Sequence, residues 1–136
     1  MILNGTIHTD PKPKARPRLT KSGRAYNPES TRIAQQKQAL LLRQIALKSE
    51  YSFPIPKNVP LEVSVRFFHK GKRPACGKPK ITVPDIDNLL KLFLDAVTDA
   101  RIWKTDAQIT KLISEDLWSE KARIEFSIKR HEPEMI

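Results

Sequence analysis

The chain has a single cysteine, Cys76, which excludes an intrachain disulfide and any zinc site built from several thiolates. Histidine is almost as scarce. His8, His69 and His131 are scattered without the spacings that hold a metal, and they read as surface or strand residues. Long apolar runs are missing too. No stretch reaches the roughly 20 residues of a membrane span. No apolar segment follows the basic residues near the N-terminus, as a secretory signal would require. Acidic residues are outnumbered: 15 Asp and Glu stand against 25 Lys and Arg, a formal net charge of +10. The expectation is a soluble, cytoplasmic protein with no membrane partner and no small-molecule cofactor. Excess positive charge calls for a polyanion, and without a long basic amphipathic helix the polyanion expected is nucleic acid rather than a membrane surface.

The 136 residues suit one domain, 1–136, with its own core. Met1 to His8 fits a short strand anchored by Ile2 and Ile7. Asp10 to Asn27 is expected to be irregular, because Pro11, Pro13 and Pro17 remove backbone donors and Ser22-Gly23 marks a turn. This loop carries Lys12, Lys14, Arg16, Arg18, Lys21 and Arg24, with Asp10 as its only acid. A helix follows, with Asn27 as N-cap and Pro28 in the first helical position. Ile33, Leu40 and Leu47, with Leu41 and Ile45, would form its apolar face up to about Tyr51, and Pro54, Pro56 and Pro60 end it. Leu61 to Phe67 alternates as a half-buried strand does. A second basic loop, Lys70 to Lys80, holds Lys70, Lys72, Arg73, Lys78 and Lys80 and no acid. After a second helix ending near Ala100, Ile109–Leu117 and Ala122–Ile128 read as strands, joined by a hairpin turn at Ser119-Glu120-Lys121. The tail after Arg130 is expected to fray. The order gives an α/β fold, a small mixed sheet with two main helices. Both basic loops precede helices, so they could converge beside the second helix's N-terminus.

That helix begins in the most informative stretch, Asp85-Ile86-Asp87-Asn88-Leu89-Leu90-Lys91. Asp87, Lys91, Asp95 and Thr98/Asp99 recur at helical spacing, a narrow polar stripe on an apolar helix. The plain reading of Asp85 and Asp87 is capping of the helix and its dipole, but one cap needs one Asp. Lys91 fits an ion pair with Asp87 one turn back, or a side chain reaching into the same cleft. Asp95 and Asp99 fit solvated positions as well as a site. Asp106, in Trp103-Lys104-Thr105-Asp106-Ala107-Gln108, fits a solvated loop, unless the chain turns back and brings it to the acidic pair. Hard cations such as Mg²⁺ take carboxylate oxygens and retain waters, so two or three Asp residues are enough.

Asp85-x-Asp87-Asn88-Leu89-x-Lys91-x-x-x-Asp95, followed by Trp103-x-x-Asp106-Ala107-Gln108, resembles the RusA family of Holliday junction resolvases. Pro13-Lys14-x-Arg16-Pro17-Arg18, then Gly23-Arg24-x-Tyr26-x-Pro28, is similar to the opening segment of its bacterial and phage members. Together these cover both halves of the chain; the acidic motif with its downstream Trp and Asp-Ala-Gln is the specific part. The resemblance implies a RusA-like fold and a small homodimeric, Mg²⁺-dependent endonuclease, with Mn²⁺ a possible substitute. Such an enzyme nicks two strands of branched, four-way DNA symmetrically in recombination and repair, and is often carried by prophages. Asp85, Asp87 and Asp106 match the family's metal-binding acids and Lys91 its essential lysine. Some members have consecutive acids before the Ala-Gln; here Thr105 takes the first place, so the metal role falls to Asp106. Lys91 would stabilise the transition state or orient an Asp. The basic loops would grip the DNA backbone. Tyr26 and Trp103 could stack on bases, with core packing favoured for Trp103.

Three rivals share parts of this pattern. Another metal nuclease, cutting flaps or forks, would use the same acids. A non-enzymatic nucleic-acid-binding protein would need only the basic loops. An RNA-binding protein of ribosomal type would carry similar loops but leave the acidic stripe without a purpose.

Overall fold

A computed structural model describes residues 1–134 of the chain. Its centre is a four-stranded mixed sheet in the order β1-β6-β4-β5: β1 (Leu3–Ile7), β4 (Leu61–Lys70), β5 (Ile109–Ser119) and β6 (Arg123–Arg130). A two-stranded hairpin, β2 (Arg18–Leu19) and β3 (Ala25–Tyr26), stands apart. Helices α1 (Glu29–Lys48) and α2 (Ile86–Asp99) complete the fold. β4 runs parallel to β5 and antiparallel to β6. Parallel neighbours need a long crossover, and the segment containing α2 supplies it.

Alternation in β4 explains its central place. Leu61, Val63, Val65 and Phe67 are buried in the main core. Their side chains share a face with Ile124, Phe126 and Ile128 of β6, opposite them in register or one pair away. α2 buries Leu89, Leu92, Phe93, Ala96 and Val97. The Phe93 ring stands edge-on to Phe67, with centroids 6.3 Å apart, and 5.8 Å from Phe126. Trp103 is also buried, its indole Nε1 donating to Thr98 Oγ1 at 2.7 Å, so it packs in the core and offers no face to a base. The outer face of the sheet carries ion pairs, including Lys111–Glu62, Lys129–Glu62, Arg66–Glu115 and Arg66–Glu125.

Several expectations change. The basic N-terminal loop is not wholly irregular: Gly23, at φ 85°, turns the β2–β3 hairpin, a conformation glycine adopts without strain. α1 starts one residue late, with extended Pro28 rather than Asn27 in the cap position. More consequential is its face. Ile33, Leu40 and Leu47 are exposed, and Thr31, Gln38, Leu42 and Ala46 are buried instead. Leu41 and Ile45 do pack on the core, as expected. α1 lies against α2 and close over Gly5, where an added Cβ would sit 3.1 Å from Ile45 Cδ1. The missing side chain at Gly5 lets Ile45 of α1 approach the sheet this closely. Ser119-Glu120-Lys121 is not a hairpin, because β4 lies between β5 and β6. Central β4, apolar enough to need neighbours on both edges, displaces that simpler pairing. Nor is the start of the tail loose: His131 N–H donates to Pro60 O, and its Nδ1 lies 2.7 Å from Thr110 Oγ1. The last two residues of that tail lie outside the described residues.

The orientation of α1 is open to direct test. Leu42→Ala should cost about 2–5 kcal/mol in urea unfolding, whereas Leu40→Ala should stay within about 0.5 kcal/mol of wild type. The reverse order would mean that the Ile33/Leu40/Leu47 seam faces inward.

Candidate metal centre and nucleic-acid interface

α2 is held by one apolar face, and that fixes where its first turn points. Asp85 occupies the N-cap position, but its side chain makes no capping hydrogen bond. Asp87 and Lys91 lie exposed on the helix. Among the described residues neither has an ion-pair partner: the Asp87–Lys91 pair is not formed, and no salt bridge reaches Asp85 or Asp106 either. Asp95 and Asp99, farther along the same stripe, are engaged. Asp95 pairs with Lys14 Nζ at 3.1 Å, and Asp99 accepts from Gln35 Nε2 at 2.7 Å. The polar stripe therefore divides into a free N-terminal half and a tied C-terminal half.

Asp106 begins a single 3-10 turn, Asp106–Gln108. Thr105 and Gln108 clasp it in a capping box. The buried Gln108 amide also donates to Pro56 O and Val59 O, at 2.9 and 3.2 Å. Its fixed position sets where Asp106 projects. Asp106 lines a cleft of about 330 Å³ with Leu94 of α2 and Leu112 of β5. Asp85 lines another, of about 390 Å³, with Ser114 and Asp116 of the same strand. The acids thus border successive stretches of β5, and no three Asp, Glu, His or Cys among the described residues form a ready metal cage. Mg²⁺ does not require one, since it is commonly held by one or two carboxylates with water and substrate phosphate. Exposed, unpaired carboxylates have the hard donor chemistry it takes.

The two basic loops converge. Pro11, Lys12 and Pro13 of the first meet Lys70, Lys80, Val83 and Pro84 across a groove of about 530 Å³ floored by His69 and Trp118. It shares Lys80 and Pro84 with the Asp85 cleft, so groove and acid are continuous. Lys12, Arg16, Arg18, Lys21, Arg24, Lys70, Lys72, Arg73 and Lys78 are exposed, as a phosphate-binding surface requires. Arg73 is also paired with Glu120 at 2.9 Å. Two cations expected in this set are turned inward. Lys14, its side chain only 12% exposed, is committed to Asp95 and Gln35. Lys80 is buried, its Nζ donating to Thr82 O and Val83 O at 2.7 and 2.9 Å beside the Trp118 ring. Lys80 thereby ties together the turn that leads into Asp85. Nothing in the spacing of these residues distinguishes them from their exposed neighbours.

A further polar pair was not foreseen. His69 Nε2 lies 2.6 Å from Asp116 Oδ1, with both side chains largely enclosed. The two residues sit on adjacent parallel strands, 47 positions apart, and no local motif announces such a contact. Gln108, by contrast, was legible in the Thr-x-x-Gln spacing of a capping box.

A basic α/β fold that places a free carboxylate at the end of a cationic groove, on a helix that carries a second free carboxylate and a free lysine, has the build of a protein acting on nucleic acid. The chain belongs to the RusA endodeoxyribonuclease family: the family model described as "Endodeoxyribonuclease RusA" matches residues 8–129. It is also 41% identical over 73 residues to the crossover junction endodeoxyribonuclease RusA of Lactococcus phage r1t. That match covers 53% of this chain and 56% of the relative, so the chain spans about half the length of that curated relative.

The His69–Asp116 pair yields a pH signature. Burial holds the His69 imidazole below its ordinary value of 6.5, against the opposing pull of Asp116. The unfolded chain therefore takes up this proton more readily, and the contribution to stability is lost as pH falls below that value. Between about pH 7 and about pH 5 the unfolding free energy should fall less steeply in His69→Gln than in wild type. Parallel curves would show that His69 titrates no differently in the folded state.

Proposed function

We propose that this protein is a Mg²⁺-dependent, structure-specific DNA endonuclease that resolves four-way junctions by paired symmetric nicks. It acts as a homodimer in the cytoplasm, in recombination and repair. Membership of the RusA family and the name borne by the phage relative support this reading. Among the described residues no helix is long and apolar enough to cross a membrane. One observation carries the reading at residue level: Asp85 heads α2 without using its carboxylate as a cap. A purely structural aspartate at that position would normally accept a backbone N–H.

In this mechanism Asp85, Asp87 and Asp106 would hold the metal. A bound divalent cation supplies Lewis acidity, lowering the pKa of water and neutralising phosphate charge. Lys91, one helical turn beyond Asp87, offers a positive charge to the oxygen on which negative charge develops. The exposed bases of the two loops neutralise the phosphates of the arms and carry no sequence information. Their attraction weakens as salt rises, because bound counterions are released on association. A four-way junction presents two-fold related strands, which a C₂ dimer with one site per protomer matches.

The test uses a synthetic four-way junction and a matched linear duplex, with and without Mg²⁺ or Mn²⁺. Wild type should nick the junction, only with metal present. Asp85→Asn, Asp87→Asn and Asp106→Asn should each lose cleavage by orders of magnitude while still binding the junction, and should take up less Mn²⁺ in calorimetric titration. Lys91→Ala should lose about 10²–10³-fold in rate with metal uptake retained. A protein that only binds nucleic acid would cut nothing under any condition. Cleavage at the wild-type rate by Asp87→Asn would overturn the assignment of these acids.

A further inference from the structure

β5 is an edge strand of the sheet, and its outer edge is covered at one end only. Lys80 N–H donates to Asp116 O, Trp118 N–H to Lys78 O, and Pro79 bridges Leu117. At the other end the pairing of β4 with β5 shifts between Leu61 and Glu62, leaving Thr110 out of register. Lys111 to Glu115 remains between these limits with no strand on its outer side among the described residues. At its middle, Leu112 and Ile113 are 43% and 46% exposed. An open edge is a template for another strand.

We propose that Lys111–Glu115 of β5 pairs antiparallel with the same stretch of a second copy, about a two-fold axis at Ile113. Three features converge on that register. The free stretch is centred on Ile113. The backbone groups of Asp116 and Trp118 point to the open edge, so by strand alternation those of Leu112 and Ser114 do as well. Antiparallel pairing about Ile113 sets Leu112 opposite Ser114 of the partner, where these groups meet and bond reciprocally.

The side chains make the third feature. In register, Lys129, Glu62 and Lys111 form one row across the sheet's outer face, and Glu125, Arg66 and Glu115 form another. A two-fold axis at Ile113 joins the first row of one protomer to the second row of its partner. The signs then alternate without a break through Lys129, Glu62, Lys111 and the partner's Glu115, Arg66 and Glu125. Charged residues on an edge commonly prevent pairing. Here their order makes the edge complementary to itself, and opposite charges directly across strands stabilise a sheet. An axis normal to the sheet keeps both helix-covered faces, with their acid-lined clefts, on one side. This interface builds on the homodimer reading above, and its test involves neither DNA nor metal.

The test is sedimentation equilibrium of the full chain. Wild type should associate to twice the 15.6 kDa of one chain. Lys111→Glu and Glu115→Lys each create two like-charge pairs across the axis, and each alone should weaken the dimer by about tenfold or more. Mixed together, the two variants should form a heterodimer of near wild-type affinity, because opposite charges meet again at both positions. Ser114→Pro removes an N–H aimed at the open edge, a substitution edge strands tolerate, and should give a folded monomer by circular dichroism and sedimentation. Three results would overturn the proposal: a monomeric wild type, singles that dimerise like wild type, or weakened singles that mixing does not rescue. The last would show that the charges act through Glu62 and Arg66 within one chain. Junction cleavage by a strictly monomeric protein would remove this interface and leave the nuclease reading standing; a dimer of this kind that cuts nothing would do the opposite.

Discussion

The burial of one face of α2 against the sheet is the interaction on which the rest depends. Leu89, Leu92, Phe93, Ala96 and Val97 leave the solvent no apolar surface on that side, and at about 1.5–3 kcal/mol for each large side chain no other rotation of the helix competes. With the axis and rotation fixed, Asp85, Asp87 and Lys91 face outward at the helix N-terminus. Asp95 and Asp99 are turned toward Lys14 and Gln35. Placement of the acidic residues is thus a consequence of core packing and needs no contact among the acids themselves.

Free carboxylates are uncommon company for so many bases, and their separation from nearby cations is arranged locally. Lys14 is spent on Asp95, and Lys80 on the carbonyls of Thr82 and Val83. The two lysines that approach α2 from the basic loops therefore do not neutralise Asp85 or Asp87. Helix macrodipole and side chain complement one another at that end, since a helix N-terminus favours negative charge. On the proposed reading, a cation arriving with a phosphate would meet oxygen ligands that no protein ammonium has already claimed. Gln108 serves the same end for Asp106, fixing the turn through backbone carbonyls and leaving the carboxylate exposed.

Much of this was legible in the sequence, and for physical reasons. The period of β4, the narrow polar stripe of α2 and the proline-rich basic loops each report a local constraint, so most of the elements and the family could be read from short windows. What could not be read depends on partners distant in sequence. Which face of α1 turns inward is decided by Gly5 and α2; the spacing of Ile33, Leu40 and Leu47 satisfied a helical period equally well and pointed the wrong way. The turn at Ser119-Glu120-Lys121 looked like a hairpin because nothing local shows that β4 comes between its strands. The inward turn of Lys14 and Lys80 has no local signal because burial is a tertiary property, and His69–Asp116 exists only through the register of β4 and β5.

The claim that the free end of the α2 stripe and the Asp106 turn hold the divalent ion together is tested most directly by titrating Mn²⁺ into the protein and following paramagnetic broadening of backbone amide NMR signals. The account predicts the earliest and strongest losses at Asp85, Asp87 and Asn88 and at Asp106 to Gln108, with the amide of Asp99 at the far end of the helix broadened least. Losses centred on Asp95 and Asp99, or on acids remote from α2, with the Asp85 and Asp106 signals intact, would contradict it.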